Sequence, residues 1–214
     1  LVPVHPAPRV VVMSIGNELV APGRAVPPGK VYDANSHALA AAVTSAGAVP
    51  YRVPAVPDER SVLREAIEDQ TLRADVLITT GGLSYGGGDT LKDVLFPLGA
   101  VRFDNIAMNP GRQVGVGKLE DGTIIFCLPG DPVSALVAFE VFVRPSLRKM
   151  AGYVDAGPET VTAVASGEFL SDDGVRDFVR VAISPDRERG FTCEVTPGGD
   201  KNLLSGLVSA DGLA

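Results

Sequence analysis

LITTGGLSYGGGDTLKDVL, Leu77 to Leu95, passes from an apolar run through a glycine-rich stretch to an aspartate that opens a helical pattern. Five glycines fall within the eight residues from Gly81 to Gly88. A strand-to-helix connection usually needs only a few residues of any kind. Two readings stand: a loose turn, or a backbone brought close to something bulky and charged. Glycines without Cβ let backbone N–H groups turn towards a ligand, and a helix N-terminus adds partial positive charge. Together they form an anion site that needs no lysine, and phosphate is its commonest occupant. Ser84 and Thr80 add hydroxyl donors. The spacing is neither GxGxxG nor GxxxxGK(S/T), so neither a dinucleotide fingerprint nor a Walker loop is signalled.

Outward from this stretch, residues 9–152 alternate strand and helix. RVVVMS (Arg9–Ser14) reads as a buried strand, and a loop rich in Pro and Gly follows from Asn17 to Lys30. DANSHALAAAVTSAG (Asp33–Gly47) has Asp33 and Asn35 as candidate caps and Gly47 as its stop. AVPYRVP is a second strand. The stretch from Pro57 and Asp58 to Ala74 is an amphipathic helix, and it leads into the strand DVLITT. Asp89 starts the next helix, DTLKDVLFPL. AVRFDNIAM, QVGVG and TIIFCLP follow as strands, and Ser134–Gly152 as a helix kinked at Pro145. Such alternation predicts an α/β fold, a doubly wound and mainly parallel sheet with helices on both faces. Residues 1–8 read as a linker. Beyond residue 152, ETVTAVASGEF, RDFVRVAIS and GFTCEVTP alternate as strands, so residues 153–214 are expected to form a small all-β domain cut short at Ala214.

The charge is uneven. Residues 1–154 carry 14 Lys and Arg against 15 Asp and Glu, a net of −1, while residues 155–214 carry 5 against 11, a net of −6. Neither part has the basic face of a nucleic-acid binder. No stretch has the apolar length of a membrane span, and Leu1–Pro8 lacks the features of a signal peptide. Cys127 and Cys193 form no metal pattern and read as reduced thiols of a cytoplasmic protein. An anionic ligand is therefore expected to be held by backbone dipoles and a few cations.

Ligands of open α/β sheets bind outside the carboxyl ends of the strands. Three loops leave such ends: SIGNEL (Ser14–Leu19), TTGGLSYGGGD (Thr79–Asp89) and LPGDP (Leu128–Pro132). Neighbouring strands would gather them at one cleft. Glu18 and Asp89 stand at that edge, with Asp131 and Asp58 as further candidates. Carboxylates beside a phosphate imply a bridging cation such as Mg²⁺. Asp58 and Asp89 also stand where helix N-caps stand, and Asp131 where a helix dipole welcomes it. Arg112 is either a surface charge or an anion contact.

SIGNEL, VYDANSHAL, TTGGLSYGGGD, IAMNPGRQVGVG and LPGDPVSALVAF occur here in the order found in the molybdenum-cofactor biosynthesis proteins. The chain resembles the C-terminal part of the molybdopterin molybdenumtransferase family, the MoeA and gephyrin E-domain type. The order covers about residues 9–152, and the β tail resembles that family's last domain. The resemblance implies an enzyme that inserts molybdate into adenylylated molybdopterin and releases AMP with Mg²⁺ assisting. It implies Glu18, Asp89 and Asp58 as catalytic residues, with Glu18 and Asp89 on the metal. Gly16, Asn17, Thr80, Gly81, Gly82, Ser84, Arg112, Pro129, Gly130, Asp131 and Ser134 would bind the pterin ligand. It also implies a homodimer in the full-length protein and a molybdopterin adenylyltransferase as a possible partner.

This sequence departs from the family pattern at several places. Ile15 and Asn17 stand where the first loop usually has Thr and Asp, and Gly87 near a usual glutamate. MKPGKP reads MNPGRQ, so Asn109 lacks a cation and Arg112 retains one; PGNP reads PGDP, placing a charge at Asp131. The alternatives are a divergent molybdopterin-binding or scaffold module without turnover, or a relative of the same fold, such as the competence-damage type, acting on another nucleotide-like ligand.

Overall fold

A computed structural model describes residues 2–83, 90–196 and 204–214. In chain order these form β1 (Arg9–Ser14), β2 (Leu19–Val20), β3 (Val31–Tyr32), α1 (Asn35–Ser45), β4 (Val49–Arg52), α2 (Arg60–Thr71) and β5 (Val76–Thr80). Then come α3 (Thr90–Leu95), β6 (Gly99–Asn105), β7 (Met108–Asn109), β8 (Gln113–Leu119), β9 (Ile124–Leu128), α4 (Pro132–Ala138) and α5 (Arg144–Met150). The remainder holds β10 (Val164–Ala165), β11 (Arg176–Asp177), β12 (Arg180–Asp186), β13 (Gly190–Val195), α6 (Ser205–Val208) and β14 (Gly212–Leu213).

The main sheet runs β4-β1-β5-β9-β8-β6. β4, β1, β5 and β9 are parallel, while β8 opposes β9 and β6 opposes β8. The expected doubly wound, mainly parallel α/β sheet is present. All five residues of β5 are buried, as are five of six in β1. Strands covered on both faces must read as unbroken apolar runs, which is why VVVM and VLITT show no polar alternation.

Side chains of a strand alternate between faces, and the two cores follow from that period. Val10, Val12, Ile78 and Leu128 meet Leu39 and Val43 of α1 and Ala135, Phe139 and Leu147 on the other helices of that face. Val11, Met13, Leu77 and Ile125 meet Leu63 and Ile67 of α2 and Leu91 and Leu95 of α3 on the opposite face. Leu63 and Ile67, four residues apart, are fully buried. Each such burial contributes about 1.5–3 kcal/mol.

The last helix of the unit begins at Pro132, and Pro145 acts differently from a simple kink. Residues Phe139–Val143 form a π-helical turn in which the Arg144 amide reaches the Phe139 carbonyl, five residues back. α5 then starts with Pro145 in its first turn. A widened turn frees the position where proline has no N–H to donate.

Beyond Tyr153 a second sheet runs β10-β13-β12-β14, with β12 and β13 as its antiparallel hairpin. It is less strand-rich than the alternation suggests: ETVTAVASGEF contributes only Val164–Ala165, and the tail carries the short α6. β11 pairs with β7, tying this region to the main unit. Phe178, Leu207 and Leu213 pack there against buried Met108, Val133 and Val137. No described helix is long and apolar enough to cross a membrane.

Candidate functional site

β1, β5 and β9 are immediate neighbours, so the loops after Ser14, Thr80 and Leu128 leave the same edge side by side. β1 also borders β4, so the connections diverge between β1 and β5, the switch point where such sheets bind ligands. A cleft of about 490 Å³ opens there, among Ile15, Glu18, Asn35, Gly81, Gly82 and Gly130. Its volume falls within the usual range for small-molecule sites.

The rim is fixed by backbone bonds between the loops. The Ile15 amide donates to the Thr80 carbonyl at 2.8 Å, Gly16 to Val56 at 3.0 Å and Gly81 to Leu128 at 3.3 Å. Those three amides are spent on the protein. Among the described residues, the Gly82 and Gly130 amides meet no protein acceptor and are free to bind a ligand.

Gly81 is at φ +85°, and a Cβ there would stand 2.3 Å from the Ile15 carbonyl oxygen. Two loops can touch only if that position has no side chain. A Cβ on Gly130 would lie 3.4 Å from the Gly81 Cα, an ordinary van der Waals contact, so the third loop touches the second without requiring a glycine there. Gly81 answers two needs at once, left-handed backbone and loop-to-loop contact.

Asn35 is the residue that sequence reasoning missed. Assigned only as a possible cap, it sits in the first turn of α1, and its Nδ2 donates to Thr80 Oγ1 and to the Gly130 carbonyl, both at 2.8 Å. Thr80 Oγ1 in turn donates to the Pro129 carbonyl at 2.7 Å. One amide group thus joins the β5 and β9 loops to the helix after the first loop. The signal was available: a polar amide opening a helix at the carboxyl edge of the sheet.

Asp33, expected as a cap, does accept an amide of the first turn of α1. It is 6% exposed, and its Oδ1 accepts from Ser14 Oγ at 2.7 Å and from the Ser36 amide at 3.0 Å. It ties the end of β1 to the start of α1.

The expected site residues separate into three groups. Glu18, Thr80, Gly81, Gly82 and Gly130 line the cleft. The Thr80 hydroxyl, however, is consumed by Asn35 and Pro129 and is not free for a ligand. Gly16, Asn17, Pro129, Asp131 and Ser134 support the rim. Asn17 Oδ1 accepts from the Asp58 amide at 3.1 Å, and its carbonyl accepts from Lys30 Nζ at 2.7 Å. Asp131 N-caps α4, its carboxylate accepting from the Val133 and Ser134 amides. The start of α4 is therefore already occupied by this chain's own anion, not offered to an external one.

Asp58 and Arg112 stand apart from the cleft lining. Asp58 is exposed and does not cap α2, whose N-cap is Glu59. Arg112 is an exposed side chain on the loop before β8, and its carbonyl accepts from the Ile106 amide. Ser84 and Asp89 lie outside the described residues. Among the described residues no group of three His, Cys, Asp or Glu side chains forms a metal cage. Glu18 is the exposed carboxylate of the cleft. Cys127, beside Thr79 on the adjacent strand, is fully enclosed, and burial pushes its thiol up to about 12. It contributes packing, not chemistry.

Comparison with known proteins bears on this geometry. Residues 11–149 match the family model described as a probable molybdopterin binding domain. The chain is 38% identical over 217 residues to molybdopterin molybdenumtransferase 2 of Mycobacterium tuberculosis, covering 99% of this chain and 53% of that protein. It is 35% identical over 179 residues to molybdopterin molybdenumtransferase of Nostoc sp., covering 82% of this chain and 41% of that one. Among solved structures, the molybdopterin biosynthesis MoeA protein of Pyrococcus horikosii superposes with a TM-score of 0.79 at 29% identity, covering 97% of this chain and 49% of its own. The chain spans about half the length of the curated relatives it matches.

Proposed function

Since this chain belongs to the family of probable molybdopterin binding domains, we propose that it serves molybdenum cofactor biosynthesis, with the rim cleft holding adenylylated molybdopterin during molybdate insertion and AMP release. One observation supports this reading above the others. Three sequence-distant loops enclose one cleft, and among the described residues two glycine amides there, Gly82 and Gly130, are unpaired beside a free carboxylate, Glu18. Unpaired amides suit the phosphate groups of the substrate, and glycine backbone permits the approach.

The residues suit a single Mg²⁺ in a limited way. Such an ion commonly takes one or two carboxylates and completes its shell with water and substrate phosphate. Glu18 would hold it, and Asp89, given by the family resemblance, would be the second carboxylate. When bound, the ion neutralises phosphate charge that the acidic rim would otherwise oppose. The chain's own part is to orient: Asn35 and Thr80 set the positions of the Gly81–Gly82 and Pro129–Gly130 segments, and Asn17 sets that of Glu18. In this reading the full-length protein is a cytoplasmic homodimer supplied by a molybdopterin adenylyltransferase.

The test is turnover by the full-length protein, with adenylylated molybdopterin, molybdate and Mg²⁺, followed by AMP release and mass spectrometry of the pterin. AMP release that disappears in Glu18→Gln supports the assignment; no release from the intact protein refutes it. A second reading, binding without turnover, has one observation in its favour. Asn109 stands where the family carries a lysine, and its Nδ2 donates to Asp177 Oδ1 at 2.7 Å. Pterin binding without AMP release would select that reading.

A further inference from the structure

On the other side of Asp33 from the rim cleft lies a second cavity of about 360 Å³. Three segments distant in sequence wall it: the stretch after β2, the start of α1 with Asp33 just before it, and the end of β4 with the connection that follows. Ala21, Pro22, Val53 and Pro54 give it apolar surface. Arg24, His37 and Arg52 bring nitrogen donors to it, one from each segment.

The charge pattern there is unusual for this chain. The protein carries a net −7, with 26 acidic residues available to pair. Yet among the described residues neither Arg24 nor Arg52 meets a carboxylate. Arg52 Nη1 lies 2.7 Å from His37 Nε2. A guanidinium has only donors, so His37 Nε2 is the acceptor in that contact. Asp33 is the one acidic side chain on the wall. It is buried, and its Oδ1 already accepts two bonds from Ser14 and Ser36. Ser36, 1% exposed and also on the wall, has a hydroxyl without a partner among the described residues.

Two guanidiniums with no carboxylate partner among the described residues, over an apolar floor, have a specific chemistry. Guanidinium forks bind phosphate or carboxylate oxygens in pairs and are less tightly hydrated than ammonium groups, so they form such contacts at lower desolvation cost. The floor accommodates a carbon body, and the volume exceeds what a bare ion requires. We infer that this cavity is a second ligand site, binding a small organic phosphate through Arg24 and Arg52 with His37 alongside. It is separate from the rim cleft and does not depend on what the rim cleft binds. Asp33, which forms part of both walls, is the contact between them.

The test is a titration of the isotope-labelled protein followed by NMR, with inorganic phosphate, AMP and glycerol 3-phosphate as probes and sodium chloride at matched ionic strength as control. Saturable shifts are expected at the His37 ring and the Arg24 and Arg52 guanidiniums, tighter for the two organic phosphates than for the free ion. The double variant Arg24→Ala, Arg52→Ala should weaken that binding by about tenfold or more, the loss expected for charge-assisted bonds. Both side chains are exposed, so the fold should survive; Arg52→Gln alone gives the same readout should the double variant misfold. Shifts confined to Gly82 and Gly130, a drift equal to that in sodium chloride, or unchanged affinity in the variants would overturn the proposal.

Discussion

Removing the Asn35 side chain isolates the tie between the loops from the core beneath them. Asn35→Ala deletes the bond to Thr80 Oγ1 and the bond to the Gly130 carbonyl, each 2.8 Å long. A neutral intramolecular hydrogen bond contributes about 1 kcal/mol net, and an acceptor that water can reach contributes less. Thr80 is 1% exposed, so its hydroxyl finds no substitute donor, whereas the Gly130 carbonyl lies nearer solvent. The expected cost is therefore about 1–2 kcal/mol, which corresponds to a fall in Tm of about 3–6 °C in a chain of this size.

Urea denaturation of wild type, Asn35→Ala, Thr80→Val and the double variant measures this as a cycle. Residues that share a bond couple by about 0.5 kcal/mol or more, while independent positions add. The pterin affinity of the same variants provides the second readout, because released Gly82 and Gly130 segments no longer present their amides together. Asn35→Asp should be worse than Asn35→Ala: it puts a carboxylate oxygen against the Gly130 carbonyl and forces the Thr80 hydroxyl to abandon Pro129. A loss below about 0.5 kcal/mol with no coupling to Thr80→Val, and unaltered ligand affinity, would refute the role assigned to Asn35.

Gly81→Ala should destabilise by about 2–4 kcal/mol, because its Cβ would sit 2.3 Å from the Ile15 carbonyl and at φ +85°; a melting temperature equal to wild type would contradict the loop contact. The Arg9 guanidinium, bonded to Asp75 at 2.9 Å, holds that carboxyl below the ordinary aspartate value. Its stabilisation is present above the unfolded value and is lost as pH falls through the folded one. Wild type should thus lose stability relative to Asp75→Asn only on acidification below about pH 4, and a difference that persists unchanged through that window would remove the pair from the balance. With its thiol pushed up to about 12, Cys127 should be thiolate in about one molecule in ten thousand at pH 8. It should resist iodoacetamide until the protein unfolds, as peptide mapping after labelling would reveal.

The fold was legible because the parallel strands lie buried on both faces. VVVM and VLITT could be read as central strands without knowing their partners, and the Leu63–Ile67 spacing gave one covering helix. The convergence of the three loops followed from a general rule about strand ends. Three features were not legible, each for a physical reason. The π-helical turn at Phe139–Val143 depends on hydrogen-bond register, which Pro145 suggests but does not specify. The Asn35 tie joins residues 45 and 95 positions apart, and no local pattern encodes such pairs. Thr80, read as a ligand donor because hydroxyls often are, turned out to be enclosed by its neighbours. Composition reports which groups exist; only geometry reports which remain unspent.

The same distinction applies to the two charge departures from the family pattern. Replacing lysine by Asn109 and asparagine by Asp131 shifts the formal charge towards negative, and both would be expected to weaken an anion at the rim. Neither side chain is directed to that end. Both oxygens of Asp131 accept amides of the α4 first turn, at 3.2 and 3.1 Å, where the helix dipole offsets a negative charge. Asn109 is on β7, outside the cleft lining, and its amide meets Asp177, which Ser171 also supports at 2.6 Å. A charge matters at a ligand only to the extent that it is near and uncompensated. The substitution at Asp131 therefore bears chiefly on where α4 begins, and that at Asn109 on how β7 holds β11. Within the described lining, Glu18 remains the carboxylate whose charge the ligand would feel, because Asp33 is buried and bonded to the protein's own donors.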